Sequence, residues 1–406
     1  MPLFAAPRYS GAGDTDGWPS AVGGPRMGFS EPALPEPPQG ALAFESLDLI
    51  TQYGWSDALA RDFKPHARAG YVPGRVVVQR RDGYLVTADR GELRAKLSGR
   101  LRHEAREIGH PAVGDWVAMS VNAAERTATI HALLPRRTAF IRRAADSLQT
   151  PQVIAANVDL AFIVTSMNGD LNPRRIERYL AAAWQSGARP VVVLTKSDLC
   201  ADTGPQTAEI EALAAGCPVV SISARQGVGL EALLAHLAPG ETCVLIGSSG
   251  VGKSTLVNVL LGEQRMATAS VREGDDKGRH TTSHRELVLL PGGGLIVDTP
   301  GVREIGLVDA EDGVSVVFDD IEQLTGTCKF SDCAHANEPG CAVRAALDDG
   351  TLDPDRWAHF QKLGLELAAM EQKAERLARD AERRRQGGLQ KVYRATKKDV
   401  RGGADR

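Results

Sequence analysis

The segment GSSGVGKS, at residues 247–254, restricts the possible folds of this chain more than any other stretch. It lies between an apolar run and a helix-like run, which is the setting of a phosphate-binding loop. In such a loop the backbone N–H groups and the positive end of the next helix face the phosphates. We expect Lys253 to reach the β- and γ-phosphates and the Ser254 hydroxyl to ligate Mg²⁺. The predicted nucleotide contacts are Gly247, Ser248, Ser249, Gly250, Val251, Gly252, Lys253, Ser254 and Thr255.

Apolar runs of the kind that precede this loop recur along the middle of the chain. They lie at 158–167, 188–198, 217–224, 242–250 and 294–301. Helix-like segments stand between several of them, at 173–187, 229–238 and 253–262. Apolar strands that alternate with helices indicate a parallel α/β sheet that is covered on both faces.

The tetrapeptide Thr195-Lys196-Ser197-Asp198 ends one of these strands and has the composition of a guanine-binding loop. The Asp198 carboxylate can accept hydrogen bonds from N1–H and the 2-amino group of guanine. Adenine has an acceptor at N1 and would leave the carboxylate unpaired. The Lys196 stem can lie over the base, and Ser223 and Ala224, after the next strand, are expected to present a backbone N–H to the guanine O6. The pattern favours GTP and opposes an ATP-dependent kinase.

A second phosphate-sensing motif, Asp298-Thr299-Pro300-Gly301, ends the apolar run at 294–301. Asp298 is expected to hold the magnesium ion through a water molecule, and the Gly301 N–H to sense the γ-phosphate. A plain turn has the same composition, but the position after a phosphate-binding loop favours the nucleotide site.

The order of these motifs is inverted, because the guanine-binding loop precedes the phosphate-binding loop. Loops at the carboxyl ends of parallel strands form one crevice in whatever order the chain visits them. Joining the original termini and opening the chain at another surface position leaves that crevice intact. The sequence therefore predicts a circularly permuted GTPase domain.

A cluster of three cysteines and one histidine follows this domain, at Cys328, Cys333, His335 and Cys341. Three thiolates and an imidazole within a short segment suit a closed, tetrahedral, structural Zn²⁺ site. A redox site or unpaired thiols are the alternative. The other cysteines, Cys200, Cys217 and Cys243, lie in or beside apolar strands and are expected to fill the core.

Before the α/β region, residues 44–62 can make a short helix, and five short β-like runs lie between 74 and 134. Five short strands predict a small closed barrel, with an OB-fold as first choice and an SH3-like barrel as the alternative. The segment 68–106 is rich in arginine, and so is the tail after residue 373. Such concentrations indicate either a polyanionic partner or ordinary solvated surfaces.

The expected fold is a multi-domain chain with distinct terminal extensions. Its parts are a disordered extension at 1–43, an OB-fold RNA-binding domain at 44–138, a linker at 139–153, the permuted GTPase domain at 154–310, a zinc-binding, mostly α-helical domain at 311–385 with a long helix from Asp355 to Arg385, and a basic tail at 386–406. No apolar run approaches the roughly 20 residues of a membrane span, and no secretory signal is recognisable at the N-terminus. We expect a cytoplasmic protein without a membrane partner.

Over about residues 71–350, this order of motifs resembles the ribosome small-subunit-dependent GTPase A (RsgA) family. The resemblance implies an OB-fold, a permuted GTPase domain and a zinc knuckle. It also implies a first switch at 278–283, in which Thr282, or alternatively Thr281, ligates magnesium. Val302 stands where many GTPases place a glutamine, and the family's switch histidine, His280 here, is the candidate to orient the attacking water. An exposed loop histidine without a catalytic role is the alternative.

The resemblance also implies a function: a monomeric GTP hydrolase, slow alone and stimulated by the 30S ribosomal subunit, which binds 16S rRNA and acts in late 30S assembly. The alternative is a nucleotide-gated rRNA-binding module in which hydrolysis is incidental. The sequence departs from the family at Thr195, where asparagine is usual. A threonine side chain has a shorter reach for bracing the phosphate-binding loop.

Overall fold

The computed structural model describes residues 48–80, 82–142, 152–168, 171–214, 216–263, 285–298 and 311–369, with six further positions between 371 and 383. All of them belong to one compact unit, residues 34–406. The predicted extension at 1–43 and the predicted tail at 386–406 lie outside the described residues. Within the described part, no helix has both the length and the apolar character that crossing a membrane requires.

Two helices and a closed barrel form the first part of the described chain. The elements are α1 Leu49–Gln52, α2 Asp57–Arg68, β1 Val72–Gln79, β2 Tyr84–Ala88, β3 Gly91–Leu97, α3 Gly99–Ile108, β4 Trp116–Asn122 and β5 Thr127–Leu133. The strands lie in the order β1-β2-β3-β5-β4, and β4 pairs again with β1 to close the barrel. This topology is OB-like, with a helix between β3 and β4. The predicted five-stranded OB barrel is confirmed.

The barrel interior explains why these short runs form strands. Along β3, the buried Leu93 and Ala95 alternate with the exposed Arg94 and Lys96. This period of two places one side of the strand in the core and the other in solvent. Strand β3 therefore contributes apolar side chains to the barrel and displays its charged side chains outside.

The predicted linker at 139–153 carries strands at both ends. The strands are β6 Ala139–Arg142 and β7 Gln152–Ala156, which pair antiparallel with each other. The sequence predicted only a polar connector here, because the polar residues between β6 and β7 gave no sign that the two strands pair.

The middle of the chain forms the predicted α/β sheet. Its elements are β8 Leu160–Ser166, α4 Pro173–Ser186, β9 Arg189–Thr195, α5 Gly204–Leu213, β10 Val219–Ser221, α6 Leu230–Leu234, β11 Thr242–Ile246, α7 Lys253–Leu261, β12 Glu286–Leu289 and β13 Leu295–Asp298. The strand order is β10-β9-β8-β11-β13-β12, with β12 antiparallel to β13 and the other pairs parallel. All residues of β8 and β11 are buried, as expected for a sheet that is covered on both faces.

The buried side chains of β8 show how the two faces of the sheet are filled. Ala161 and Ile163 belong to the core shared with α4, whereas Phe162 and Val164 belong to the core shared with α6 and α7. Each fully buried large apolar side chain contributes about 1.5–3 kcal/mol relative to its exposed state. The two cores thus hold helices against both faces of the sheet.

Arg75 in β1 ties the barrel to the α/β sheet. Its side chain is 2% exposed and donates to the carbonyls of Tyr53, Gly114 (3.3 Å) and Asn157 (3.0 Å) and to the Thr242 hydroxyl (2.8 Å). Burial lowers the pKa of the guanidinium to about 10, so Arg75 remains charged at neutral pH. Strand β1 also pairs with β12, at Val78 and Glu286, which makes one continuous sheet of eleven strands.

Helices dominate the last part of the described chain. They are α8 Glu311–Val317, α9 Asp319–Gly326, α10 Ala342–Asp348 and a fourth helix, α11, over residues 354–369. Helix α8 approaches α4 so closely that a Cβ at Gly313 would lie 2.0 Å from the Ala181 carbonyl oxygen. Only glycine permits this contact. The helical region therefore packs directly on the GTPase sheet through α4.

Candidate nucleotide and metal sites

The carboxyl end of the parallel sheet brings the predicted motifs together. Strand β8 is central, with β9 on one side and β11 on the other. Thr195 is the last residue of β9, and residues 247–252 follow β11 directly. Because parallel strands end at one edge, the guanine-binding loop and the phosphate-binding loop lie next to each other despite their inverted order.

Thr195 makes the contact between the two loops. Its Oγ1 lies 2.5 Å from the Val251 carbonyl oxygen in the phosphate-binding loop and 3.1 Å from the Thr165 carbonyl oxygen. The side chain is 2% exposed. Threonine thus braces the loop in spite of its short reach, because the end of β9 lies close enough for a hydroxyl group.

Asp198 is held by Ser223, whose hydroxyl donates to the Asp198 Oδ1 at 2.6 Å. This contact joins the guanine-binding loop to the loop that follows β10. Lys196 adopts a left-handed conformation, with φ of 60°, and a short 3₁₀ turn follows at Ser197–Leu199. The Ser223 N–H donates to the Val228 carbonyl at 3.0 Å, which leaves Ala224 as the candidate donor for the guanine O6.

The phosphate-binding loop has the close backbone packing that its glycines predict. A Cβ at Gly247 would lie 2.1 Å from the Val164 carbonyl oxygen. Gly252 caps α7 in a left-handed conformation with φ of 99°. The Lys253 Nζ donates to the Gly247 carbonyl at 2.6 Å and to the Ser248 carbonyl. Lys253 thus lies folded over the loop in which phosphates would be held.

Asp298 is the last residue of β13, the strand next to β11. Ser254 lies in the first turn of α7, directly after the phosphate-binding loop. Because β11 and β13 are adjacent, the backbone of Ser254, at the start of the helix after β11, and that of Asp298, at the end of β13, lie at the same edge of the sheet. Four other predicted residues, Gly301, His280, Thr281 and Thr282, lie outside the described part of the chain.

The predicted cysteine and histidine ligands form one cluster. The ligand atoms of Cys328, Cys333, His335 and Cys341 all lie within 4.8 Å of one another. The Cys328 Sγ is 4.0 Å from the Cys341 Sγ and 3.5 Å from the His335 Nδ1. Ligand bonds of about 2.3 Å for sulfur and about 2.0–2.1 Å for nitrogen require tetrahedral edges of about this size. The cluster has the composition and the spacing for a metal ion.

Of the remaining cysteines, Cys243 lies in the core, and Cys200 and Cys217 are partly buried and pack against it. Cys243 is fully buried in β11, and burial raises the pKa of its thiol above the normal range. Cys217 packs against the core, and burial raises its pKa to about 11. Such thiols stay protonated and unreactive at neutral pH, as expected of residues that fill space.

Sequence patterns missed two interactions of helix α4. The Arg175 Nη1 donates to the Ser248 Oγ at 2.6 Å, across 73 residues of the chain. The Glu177 carboxylate, 1% exposed, accepts from Arg356 and lies 2.7 Å from the His359 Nδ1. The sequence signals the start of this helix through Asn172 and Pro173, but not which of its residues face the loop and which face α11.

Comparisons with known proteins agree with this arrangement. The RsgA GTPase family model matches residues 133–308. The Small ribosomal subunit biogenesis GTPase RsgA of Opitutus terrae is 47% identical over 355 residues, covering 85% of this chain and 96% of that protein. The protein of the same name from Streptomyces coelicolor is 45% identical over 358 residues, covering 86% of this chain and 96% of that protein.

Solved structures share the architecture. The crystal structure of YjeQ from Thermotoga maritima covers 73% of this chain and 99% of its own, with a TM-score of 0.56 and 27% identity. YloQ, described as a circularly permuted GTPase, covers 74% of this chain and 96% of its own, with a TM-score of 0.53 and 24% identity, a likeness of fold. The identities to the relatives, the family match and the joined nucleotide loops lead to one conclusion: the chain belongs to the RsgA family of circularly permuted GTPases.

Proposed function

We propose that this GTPase binds the small ribosomal subunit and hydrolyses GTP in late 30S assembly, with hydrolysis releasing it from the particle. The observation that carries the proposal is the hydrogen bond from the Thr195 hydroxyl to the Val251 carbonyl oxygen. This hydrogen bond joins the guanine-binding and phosphate-binding loops into one crevice. The curated relatives are named for small-subunit biogenesis. Assembly of this subunit in bacteria takes place in the cytoplasm, where we place the protein.

Guanine selection depends on Asp198 in this proposal. The Ser223 hydroxyl orients one carboxylate oxygen of Asp198. The carboxylate is therefore pre-organised to accept from the N1–H and the 2-amino group of guanine, and little side-chain entropy is lost on binding. The Ala224 N–H completes the contact at O6, and the Lys196 stem covers the base. Adenine would place an acceptor against the carboxylate, which opposes its binding.

Phosphate binding depends on the loop at 247–254. Its backbone N–H groups and the N-terminus of α7 face the phosphates, and Lys253 moves from the Gly247 carbonyl toward the β- and γ-phosphates. Oxygen ligands such as Ser254, Asp298 and Thr282 suit Mg²⁺, which would neutralise charge that develops on the phosphates.

Contact with 16S rRNA is assigned to the exposed basic surface of the barrel. Arg94 and Lys96 on β3 and Arg126 before β5 are exposed, as are Arg100 and Arg102 in α3. Arginine and lysine contacts to phosphates position a protein on RNA without reading its sequence. Binding of this kind weakens steeply as salt concentration rises. The basic sequence at 386–406 is a second candidate for contact with rRNA phosphates.

Zinc is assigned to Cys328, Cys333, His335 and Cys341, in a structural role. We expect Cys333→Ser to reduce bound zinc from about one ion per chain to a small fraction, because a closed zinc site needs its fourth ligand. Elemental analysis of the purified protein measures this. Cys200→Ser, which removes a thiol outside the cluster, should keep the zinc. Equal zinc in Cys333→Ser and the wild type would contradict the assignment.

The proposed function is tested by GTP hydrolysis with and without 30S subunits. We expect the wild type to hydrolyse GTP slowly alone and much faster with the subunits. His280→Ala should lose about 100-fold or more of the stimulated rate, as is typical when a group that positions or accepts a proton is removed. His236→Ala is the matched control, because His236 lies between α6 and the start of β11, away from the carboxyl ends of the strands that carry the nucleotide loops, and should leave the rate unchanged.

Two results would contradict these assignments. Tight GTP-dependent binding to 30S subunits without faster hydrolysis would support the nucleotide-gated rRNA-binding module instead. A stimulated rate that His280→Ala leaves unchanged would remove the histidine from the mechanism.

A further inference from the structure

Helix α4 reaches the phosphate-binding loop through Arg175. The helix begins at Pro173 after Asn172, whose Oδ1 accepts from the Arg175 N–H at 3.1 Å. The backbone of Arg175 is thus fixed in the first turn of the helix. Two residues later, Glu177 anchors the beginning of the helix through its buried contacts with Arg356 and His359. The Arg175 side chain therefore starts from a rigid base.

The far end of that side chain contacts Ser248. The Arg175 Nη1 donates to the Ser248 Oγ at 2.6 Å, since a guanidinium has only donors. The carbonyl of the same Ser248, together with that of Gly247, accepts from the Lys253 Nζ. Arg175 and Lys253 thus meet at one residue, Arg175 at its side chain and Lys253 at its backbone.

We propose that Arg175 is a positioning residue of the GTPase site, which acts through Ser248 to set the place of Lys253. This inference rests on the proposed phosphate role of Lys253 and goes beyond it. Lys253 can move toward the phosphates productively only if the carbonyls that guide it stay in place. The hydrogen bond from Arg175 fixes Ser248 and restricts the loop before the nucleotide arrives. An arginine suits this role because its charged, planar group makes stronger hydrogen bonds than a neutral donor.

The experiment compares Arg175→Ala, Ser248→Ala and the double variant in the full-length protein. Each single change should weaken binding of a fluorescent GTP analogue and lower the single-turnover hydrolysis rate, each by about tenfold, the usual size for one lost charge-assisted hydrogen bond. The double variant should lose no more than either single variant, because both remove the same contact. Arg178→Ala is the matched control: it removes a positive charge from the same helix, but its partner is Glu366 in α11. It should bind and hydrolyse GTP like the wild type.

Several outcomes would overturn the proposal. Wild-type behaviour of Arg175→Ala would do so. If Arg175→Ala weakened binding and hydrolysis but Ser248→Ala did not, the positive charge of Arg175 would act without the hydrogen bond to Ser248. An equal loss in Arg178→Ala would show a general effect of charge. Failure of the proposed function is distinguishable, because the wild type itself would then bind no GTP analogue or show no response to 30S subunits.

Discussion

Asp198→Ala is expected to weaken GTP binding by about 100- to 10,000-fold. Two hydrogen bonds to a charged group are lost, each contributing about 1.5–3 kcal/mol. ATP should not lose affinity, because adenine makes neither bond. Equilibrium competition of GTP and ATP against a fluorescent nucleotide measures both effects on the purified protein.

Two further variants make this test specific. Ser223→Ala leaves the carboxylate in place but removes the hydroxyl that orients it, so we expect a smaller loss of about tenfold. Asp202→Ala removes the same charge from an exposed position in the same loop, where the Asp202 carboxylate caps the Gly204 N–H. GTP binding should survive that change. If Asp202→Ala weakened GTP binding as much as Asp198→Ala, guanine selection by Asp198 would be refuted.

Glu177→Gln is expected to lower the free energy of unfolding by about 3 kcal/mol, because Arg356 and His359 lose their buried charged partner, while Arg356 keeps Asp320 as a carboxylate partner. Glu177 is 1% exposed, and its carboxylate accepts from Arg356 and contacts His359. Arg356 also donates to the Asp320 Oδ1 at 2.8 Å and lies over the Phe318 ring. Protection of backbone amides from hydrogen exchange should fall most in α11, because Arg356 and His359 lie in that helix.

Urea denaturation and hydrogen exchange of residues 354–369 measure this effect. Glu366→Gln is the matched control, because it removes a carboxylate from the same contact between α4 and α11. Glu366 is more exposed and pairs with Arg178 at 2.9 Å, so its loss should cost less than about 1 kcal/mol. Equal stability of Glu177→Gln and Glu366→Gln would contradict the role given to the buried network.

The Thr195 contact shows that a motif predicts the type of residue at a position but not the distance that its side chain must span. Asparagine is usual at this position, and the shorter threonine suggested a weaker brace for the phosphate-binding loop. The Thr195 hydroxyl nevertheless lies 2.5 Å from the Val251 carbonyl oxygen, 56 residues along the chain. The residue type sets the length of a side chain, whereas the distance that it must span depends on where the strand ends in the folded sheet.

The sequence alone determined the fold class, the nucleotide loops, the inverted order and the cysteine and histidine cluster. These features depend on local spacing, because glycines, strand periodicity and neighbouring ligands act over a few residues. The tertiary structure alone decided that Arg175 contacts Ser248, that Glu177 meets Arg356 across 179 residues, and that Arg75 joins the barrel to the sheet. Those contacts depend on how each helix is rotated and docked, which is set by packing of the whole core.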